Sequence, residues 1–173
     1  MKRIIIFTGL SATGKSSLAK LLAKEIQAPE ISPNDLLEAY AKKSGVQTAR
    51  ALFENKGIEK TRKIRSRLLF SFIQKQKASV VIVDGLYDYA LFSQLKKKYA
   101  KGVFVVDVTA NRSLRKAMVL KRLKGEANVK KYLKQRNEPK LSDGLLKIKR
   151  EANISIRNNS GLQKTVAHLR AHV

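Results

Sequence analysis

The sequence predicts a three-layer α/β/α fold, with a five-stranded parallel sheet covered by helices on both faces. Two observations carry this. Short apolar, β-branched runs without polar alternation recur along the 173 residues, the pattern of strands buried on both faces. Between them lie segments with apolar residues at helical spacing, and strands that alternate with helices need parallel crossovers. Right-handed crossovers then gather the functional loops at the carboxyl ends of the strands.

The first strand is read at Arg3–Thr8. A glycine-rich turn follows, and then a helix over 16–26 with Leu18, Leu21, Leu22 and Ile26 on one face. Pro29 and Pro33 bracket a short extended segment, Glu30-Ile31-Ser32, that leads through Asn34-Asp35 into a helix over 35–43. Helical pattern resumes near Thr48, breaks near Gly57, and runs on as a long basic helix over 58–77 with Ile64, Leu68, Leu69, Phe72 and Ile73 inward. The clearest strand is Ser79–Asp84. A helix over 87–98 and a strand over 102–108 come next. Helices are expected over 111–124 and 129–136, a loop over 138–144, and a helical piece over 145–152. Asn153–Arg157 is the last strand, and 161–171 a terminal helix with Ser160 as its expected N-cap.

Composition bounds the function. Cysteine is absent, which removes disulfides, thiolate metal sites and cysteine nucleophiles. The apolar runs are too short to span a bilayer. The N-terminal apolar stretch enters a glycine loop with no small-residue cleavage site, so a single cytoplasmic domain over 1–173 is expected. Net charge is +24, from 37 basic and 13 acidic residues. Such a field attracts polyanions. A nucleic-acid surface, a general bias toward lysine, and a site for strongly anionic small substrates all account for it. The basic residues are dispersed rather than gathered on one face, which disfavours nucleic acid.

Gly9-Leu10-Ser11-Ala12-Thr13-Gly14-Lys15-Ser16 matches G-x-x-x-x-G-K-[ST] in full. At this length the pattern arises by accident in about one chain in a hundred. Here it also falls between a strand and an amphipathic helix, the context its chemistry needs. Glycines let successive N–H groups turn into one cavity, and the helix that starts there adds its positive end. Gly9, Ser11, Ala12, Thr13, Gly14, Lys15, Ser16 and Ser17 therefore form the expected phosphate site for ATP. Lys15 would bridge the β- and γ-phosphates, and Ser16 would ligate Mg2+. Ala12 stands where many small-molecule kinases have glycine.

With so few acids, those that end apolar runs are informative. Asp84 closes Val80–Val83 and precedes Gly85; it reads as a magnesium-shell carboxylate or as a strand-ending turn residue. Asp35 follows the short second strand, where it could deprotonate an acceptor hydroxyl or cap the next helix, a role for which Asn34 competes. Asp107 interrupts a strand, with a structural role equally open. His168 and His172 read as surface residues without metal-ligand spacing. Arginines suit the neutralisation of a moving phosphoryl group. One cluster is Arg112, Arg115 and Arg122, with Arg136 beyond it. Another is Arg62, Arg65 and Arg67. Solvated helix faces explain either cluster as well.

These residues together resemble the nucleoside-monophosphate-kinase-like P-loop kinases, especially dephospho-CoA kinases and adenylate-kinase-like archaeal proteins. The resemblance runs over nearly the whole chain, through the Gly9–Ser16 loop, Asn34-Asp35, Asp84-Gly85 and Asp107-Val-Thr-Ala110. It continues through Gln135-Arg136-Asn137-Glu138 and the ending Asn153 to Leu162. It implies a P-loop fold with a small helical lid over about 124–140, and transfer of the ATP γ-phosphate to a small anionic, nucleotide-like acceptor. It places Asp35 and Asp84 on the acceptor side, Arg122 and Arg136 in the lid, Arg112 among the nucleotide contacts, and Asn158 in a turn near the adenine. One departure is Asp84-Gly85-Leu86-Tyr87-Asp88, which lacks the arginine that adenylate kinases carry there. The Arg62–Arg67 face is a possible substitute for that anion contact. The alternative function is a polynucleotide or tRNA kinase, or an RNA-associated ATPase.

Overall fold

A computed structural model describes residues 2–123, 128–159 and 161–173. Its elements, in chain order, are β1 (Arg3–Thr8), α1 (Lys15–Glu25), β2 (Glu30–Ile31), α2 (Pro33–Lys43), α3 (Ala49–Lys56) and α4 (Ile58–Lys75). Then come β3 (Val80–Asp84), α5 (Tyr89–Tyr99), β4 (Val103–Thr109), α6 (Arg112–Arg122), α7 (Val129–Ser142), α8 (Leu145–Arg150), β5 (Ile154–Arg157) and α9 (Leu162–Arg170). All the strand pairings are parallel, in the order β2-β3-β1-β4-β5. The expected three-layer α/β/α fold is present. Residues 124–127 of the expected lid and the Ser160 cap lie outside the described residues.

The period of two along a strand sorts the core into two layers. Ile4, Ile6, Val81, Val83 and Val105 pack on the face carrying α4, α5 and α8. Ile5, Phe7, Ile82, Val106 and Val108 pack on the face carrying α1 and α9. The same alternation aims the acids. Asp84, two positions beyond Ile82, falls on the α1 face, whereas Asp107, two beyond Val105, falls on the α8 face. A smaller cluster of Leu37, Ala41 and Leu52 joins α2, α3 and α4.

From β1 the sheet grows in both directions, with β3 on one side and β4 on the other. Loops leaving these strands diverge, and the crevice between them is where ligands of open α/β sheets bind. In register, Phe7 lies opposite Asp84 and Thr8 opposite Asp107, so both acids are level with the start of the glycine loop.

Two expectations need correction. The segment expected as a loop over 138–144 is helical to Ser142, with Pro139 inside α7. Proline removes one helical N–H, but contacts on either side of it hold the helix. Asn137 bonds the glycine loop, and Asp143 accepts a hydrogen bond from Arg62 while its carbonyl accepts from the Tyr89 N–H. Of the residues expected inward on α4, Leu69 and Ile73 are buried, in a stripe completed by Thr61 and Arg65, whereas Ile64, Leu68 and Phe72 are only partly buried.

Candidate active site

The glycine loop is shaped by its neighbours as much as by its sequence. Gly9 sits at φ 132°, where a Cβ would run into the Val108 carbonyl of β4. Gly14 is left-handed and is the N-cap of α1; a Cβ there would collide with the Asn158 carboxamide. Asn158 is 5% exposed, and its Nδ2 donates to the Thr13 carbonyl at 3.1 Å. It clamps the loop from below and does not line the cleft. Ala12 holds φ 60°, a conformation that costs an L-residue roughly 1–2 kcal/mol.

A cleft of about 460 Å³ opens above the loop. Residues Ser11–Ser17 line one side of it, and Ser32, Asn34, Asp35, Gly85 and Tyr87 the other. Asp84 lies between them, and Arg122, Arg136 and Lys140 reach in from α6 and α7. Most of the expected site residues therefore share one cavity. Arg112, at the first turn of α6, is exposed and does not line it. Arg115, one turn on, donates from Nε to the Ser11 carbonyl at 3.1 Å.

Lys15 is 8% exposed and donates to the Leu10 carbonyl at 2.5 Å. Burial brings its ammonium down to about 8, partly opposed by Asp84. Asp84 is 6% exposed. Burial pushes its carboxyl up, and the Ser16 hydroxyl and Lys15 pull it back. Glu30 is also raised, by burial first and then by Asp84, with Lys20 opposing. Asp84 Oδ1 is buried and has no hydrogen-bond partner among the described residues. An unpartnered carboxylate oxygen beside a serine hydroxyl fits a hard divalent cation that takes its remaining ligands from phosphate and water. No cluster of three or more His, Asp or Glu forms a metal cage among the described residues.

Asp35 does not cap α2. The N-cap position belongs to Ser32, with Pro33 in the first turn, and Asp35 stands exposed at the cleft wall. Asp107 lies outside the cleft lining and pairs with Lys149 of α8 at 3.2 Å, a tie between β4 and α8, while its Oδ1 is buried without a partner among the described residues. The expected anion face on α4 is otherwise engaged. Arg62 is paired with Asp143, and Arg65 is buried against Asp88 at 2.6 Å with its guanidinium over the Tyr87 ring. These arginines brace the wall of the cleft.

In the sequence, Asn137 lies in the run Gln135-Arg136-Asn137-Glu138 and Lys140 at the end of the expected lid, but neither is given a role at the glycine loop. Lys140 Nζ donates to Ser11 Oγ at 2.9 Å, and Asn137 Oδ1 accepts from the Ser11 N–H at 2.8 Å. The available signal was the spacing from Arg136, one turn before Lys140, which reading 138–144 as a loop concealed.

Among known proteins, the chain is 27% identical to a UPF0200 protein of Methanosarcina mazei over 172 aligned positions, covering 94% of this chain and 89% of that protein. A UPF0200 protein of Methanosarcina acetivorans is 28% identical over the same shares. In structure it is similar to a shikimate kinase from Bacteroides thetaiotaomicron, with TM-score 0.65 and 18% identity over 98% of this chain and 96% of that one. A gluconokinase from Sinorhizobium meliloti 1021 gives TM-score 0.66 and 14% identity over 98% and 90%. No helix among the described residues is long and apolar enough to cross a membrane. Residues 8–138 match the AAA domain family, so the chain belongs to that family and has the fold of P-loop kinases of the nucleoside-monophosphate-kinase-like group.

Proposed function

We propose that this protein is an ATP- and magnesium-dependent kinase that moves the γ-phosphoryl group to a hydroxyl or phosphate oxygen of a small anionic acceptor. One observation carries the reading: a single cleft is lined by the phosphate loop on one side and by Asp35 on the other, with Asp84 between them. Backbone N–H groups of the loop and Lys15 would hold the β- and γ-phosphates. Ser16 and Asp84 would hold magnesium, which neutralises charge on the phosphates when bound.

For a hydroxyl acceptor, Asp35 takes the proton as the acceptor oxygen bonds to the γ-phosphorus. The bond from that phosphorus to the bridging oxygen breaks, and its electron pair leaves on ADP. Arg122 and Arg136 at the cleft mouth would offset the charge spread over the moving group.

Acceptor candidates follow from the cleft and from the company the fold keeps. The cleft is rich in cations, which suits a phosphorylated or carboxylated substrate. Nucleoside monophosphates and dephospho-CoA belong in the test, together with shikimate and gluconate, the substrates named for the structural relatives. A screen with ATP labelled at the γ-phosphate across these compounds, nucleosides and 5′-hydroxyl RNA identifies the acceptor. No labelled product from any small anion would overturn the reading.

A second reading, an RNA-directed kinase or ATPase, has its own observation. Helices α6 and α7 carry five basic residues each and a single acid, Glu138, around the mouth of the cleft. RNA affinity that falls steeply with salt supports it through counterion release; the absence of RNA binding removes it.

A further inference from the structure

We propose that Lys140 is a further catalytic residue of this cleft, a donor-phosphate contact carried by the lid, and that Asn137, through its bond to Ser11, is the residue that positions it. The proposal rests on the kinase reading above and adds a residue and a placement to it.

Ser11 is gripped at all three of its polar groups by α6 and α7. Its N–H donates to Asn137 Oδ1 at 2.8 Å, its hydroxyl receives Lys140 Nζ at 2.9 Å, and its carbonyl receives Arg115 Nε at 3.1 Å. No other contact of this kind connects α7 to the phosphate loop among the described residues. Asn137 and Lys140 are three residues apart, so they project from one face of α7. Fixing Asn137 on the loop therefore fixes where Lys140 arrives.

That place is the junction of the two halves of the cleft. On one side Nζ touches the phosphate loop; on the other it lies 5.6 Å from the centre of the Tyr87 ring. The Tyr87 hydroxyl is bonded to the Asn34 side chain at 3.1 Å, beside Asp35. With the donor on the loop and the acceptor beside Asp35, a phosphoryl group would pass this point.

The charge pattern asks for an anion. Lys140 has no carboxylate partner within ion-pair distance among the described residues, yet Lys15, Arg136 and Arg115 all crowd it. Burial and these cations hold its ammonium down to about 7, with Asp84 alone among the named neighbours opposing. Converging cations without counter-charge are unfavourable in a folded chain and become favourable around a triphosphate. A lysine that merely capped the Ser11 hydroxyl would need none of this convergence.

The test measures equilibrium binding of magnesium ATP and labelled-phosphate transfer in the full chain. Lys140→Met should weaken donor binding or slow turnover by roughly ten-fold or more, the loss of one charge-assisted hydrogen bond. Its melting temperature should stay level or rise, because a crowded cation is removed. Lys140→Arg should recover most of the loss, which a packing role would not allow. Asn137→Ala should give a smaller loss in the wild-type background and almost none in the Lys140→Met background. Wild-type behaviour of Lys140→Met, in a chain where Lys15→Ala abolishes binding, would overturn the assignment while leaving the kinase reading intact. Full additivity of the two substitutions would overturn the positioning role of Asn137. A wild-type chain that binds no magnesium ATP would overturn both.

Discussion

The glycine loop and helix α7 both line one cleft but are held by different physics. The loop is suspended between β1, whose residues Ile4 to Thr8 are all buried, and α1, which buries Leu18, Ala19, Leu22 and Ala23. Its curvature comes from backbone, with Gly9 against β4 and Gly14 against Asn158. Helix α7 has no fully buried residue, and Lys140 is only partly covered. What fastens α7 to the loop is a pair of side-chain bonds to Ser11. The glycine loop is thus anchored in the core, whereas α7 depends on a few polar contacts that single substitutions can alter.

The comparison can be broken first on the rigid side. Arg65 braces the Tyr87 side of the cleft from a buried ion pair with Asp88. Arg65→Met leaves that carboxylate buried without its partner, and urea unfolding should register a loss of about 3–5 kcal/mol. Gly14→Ala forces a Cβ onto Asn158 in left-handed backbone. A loss of about 2–4 kcal/mol is expected, from backbone strain and overpacking together, with donor binding abolished.

On the lid side the expected signature is a pH dependence. Without donor, the Lys140 ammonium is held down to about 7, by burial first and then by Lys15, Arg136 and Arg115, against Asp84. Phosphate favours the ammonium form, so binding raises this value. Affinity for magnesium ATP should then be flat below about pH 7 and fall as pH rises above it, by up to about ten-fold per unit. Lys140→Met should flatten the profile between about pH 7 and 8 and leave the fall above about 8 that Lys15 gives. The smallest effect belongs to Ala12→Gly, which relieves left-handed strain and should stabilise the chain by about 1 kcal/mol in the same unfolding experiment, with transfer retained.

What could be read from the sequence follows the same division. All five strands, the loop and Asp84 were legible, because they are local patterns: a β-branched run, a spaced glycine motif, an acid at a strand end. Asn158 was placed near the nucleotide by resemblance, but its hold on the Thr13 carbonyl spans the length of the chain and leaves no local trace. Arg65 was read on a solvated or substrate-facing helix surface, since charge alone does not reveal that a buried Asp88 and a partly buried Asp143 wait beside it. Residues 138–144 were read as a loop, and without a continuous helix there Lys140 carried no spacing that set it beside Asn137 and Arg136. Contacts formed on folding overrode the local rule at Pro139.

The most direct test of the central claim is γ-phosphoryl transfer from labelled magnesium ATP, measured for the wild-type chain and Lys15→Ala side by side. The account predicts transfer to a small anionic acceptor by the wild type and a loss of about a thousand-fold or more in Lys15→Ala, with the fold intact. Equal transfer by the two proteins would contradict it.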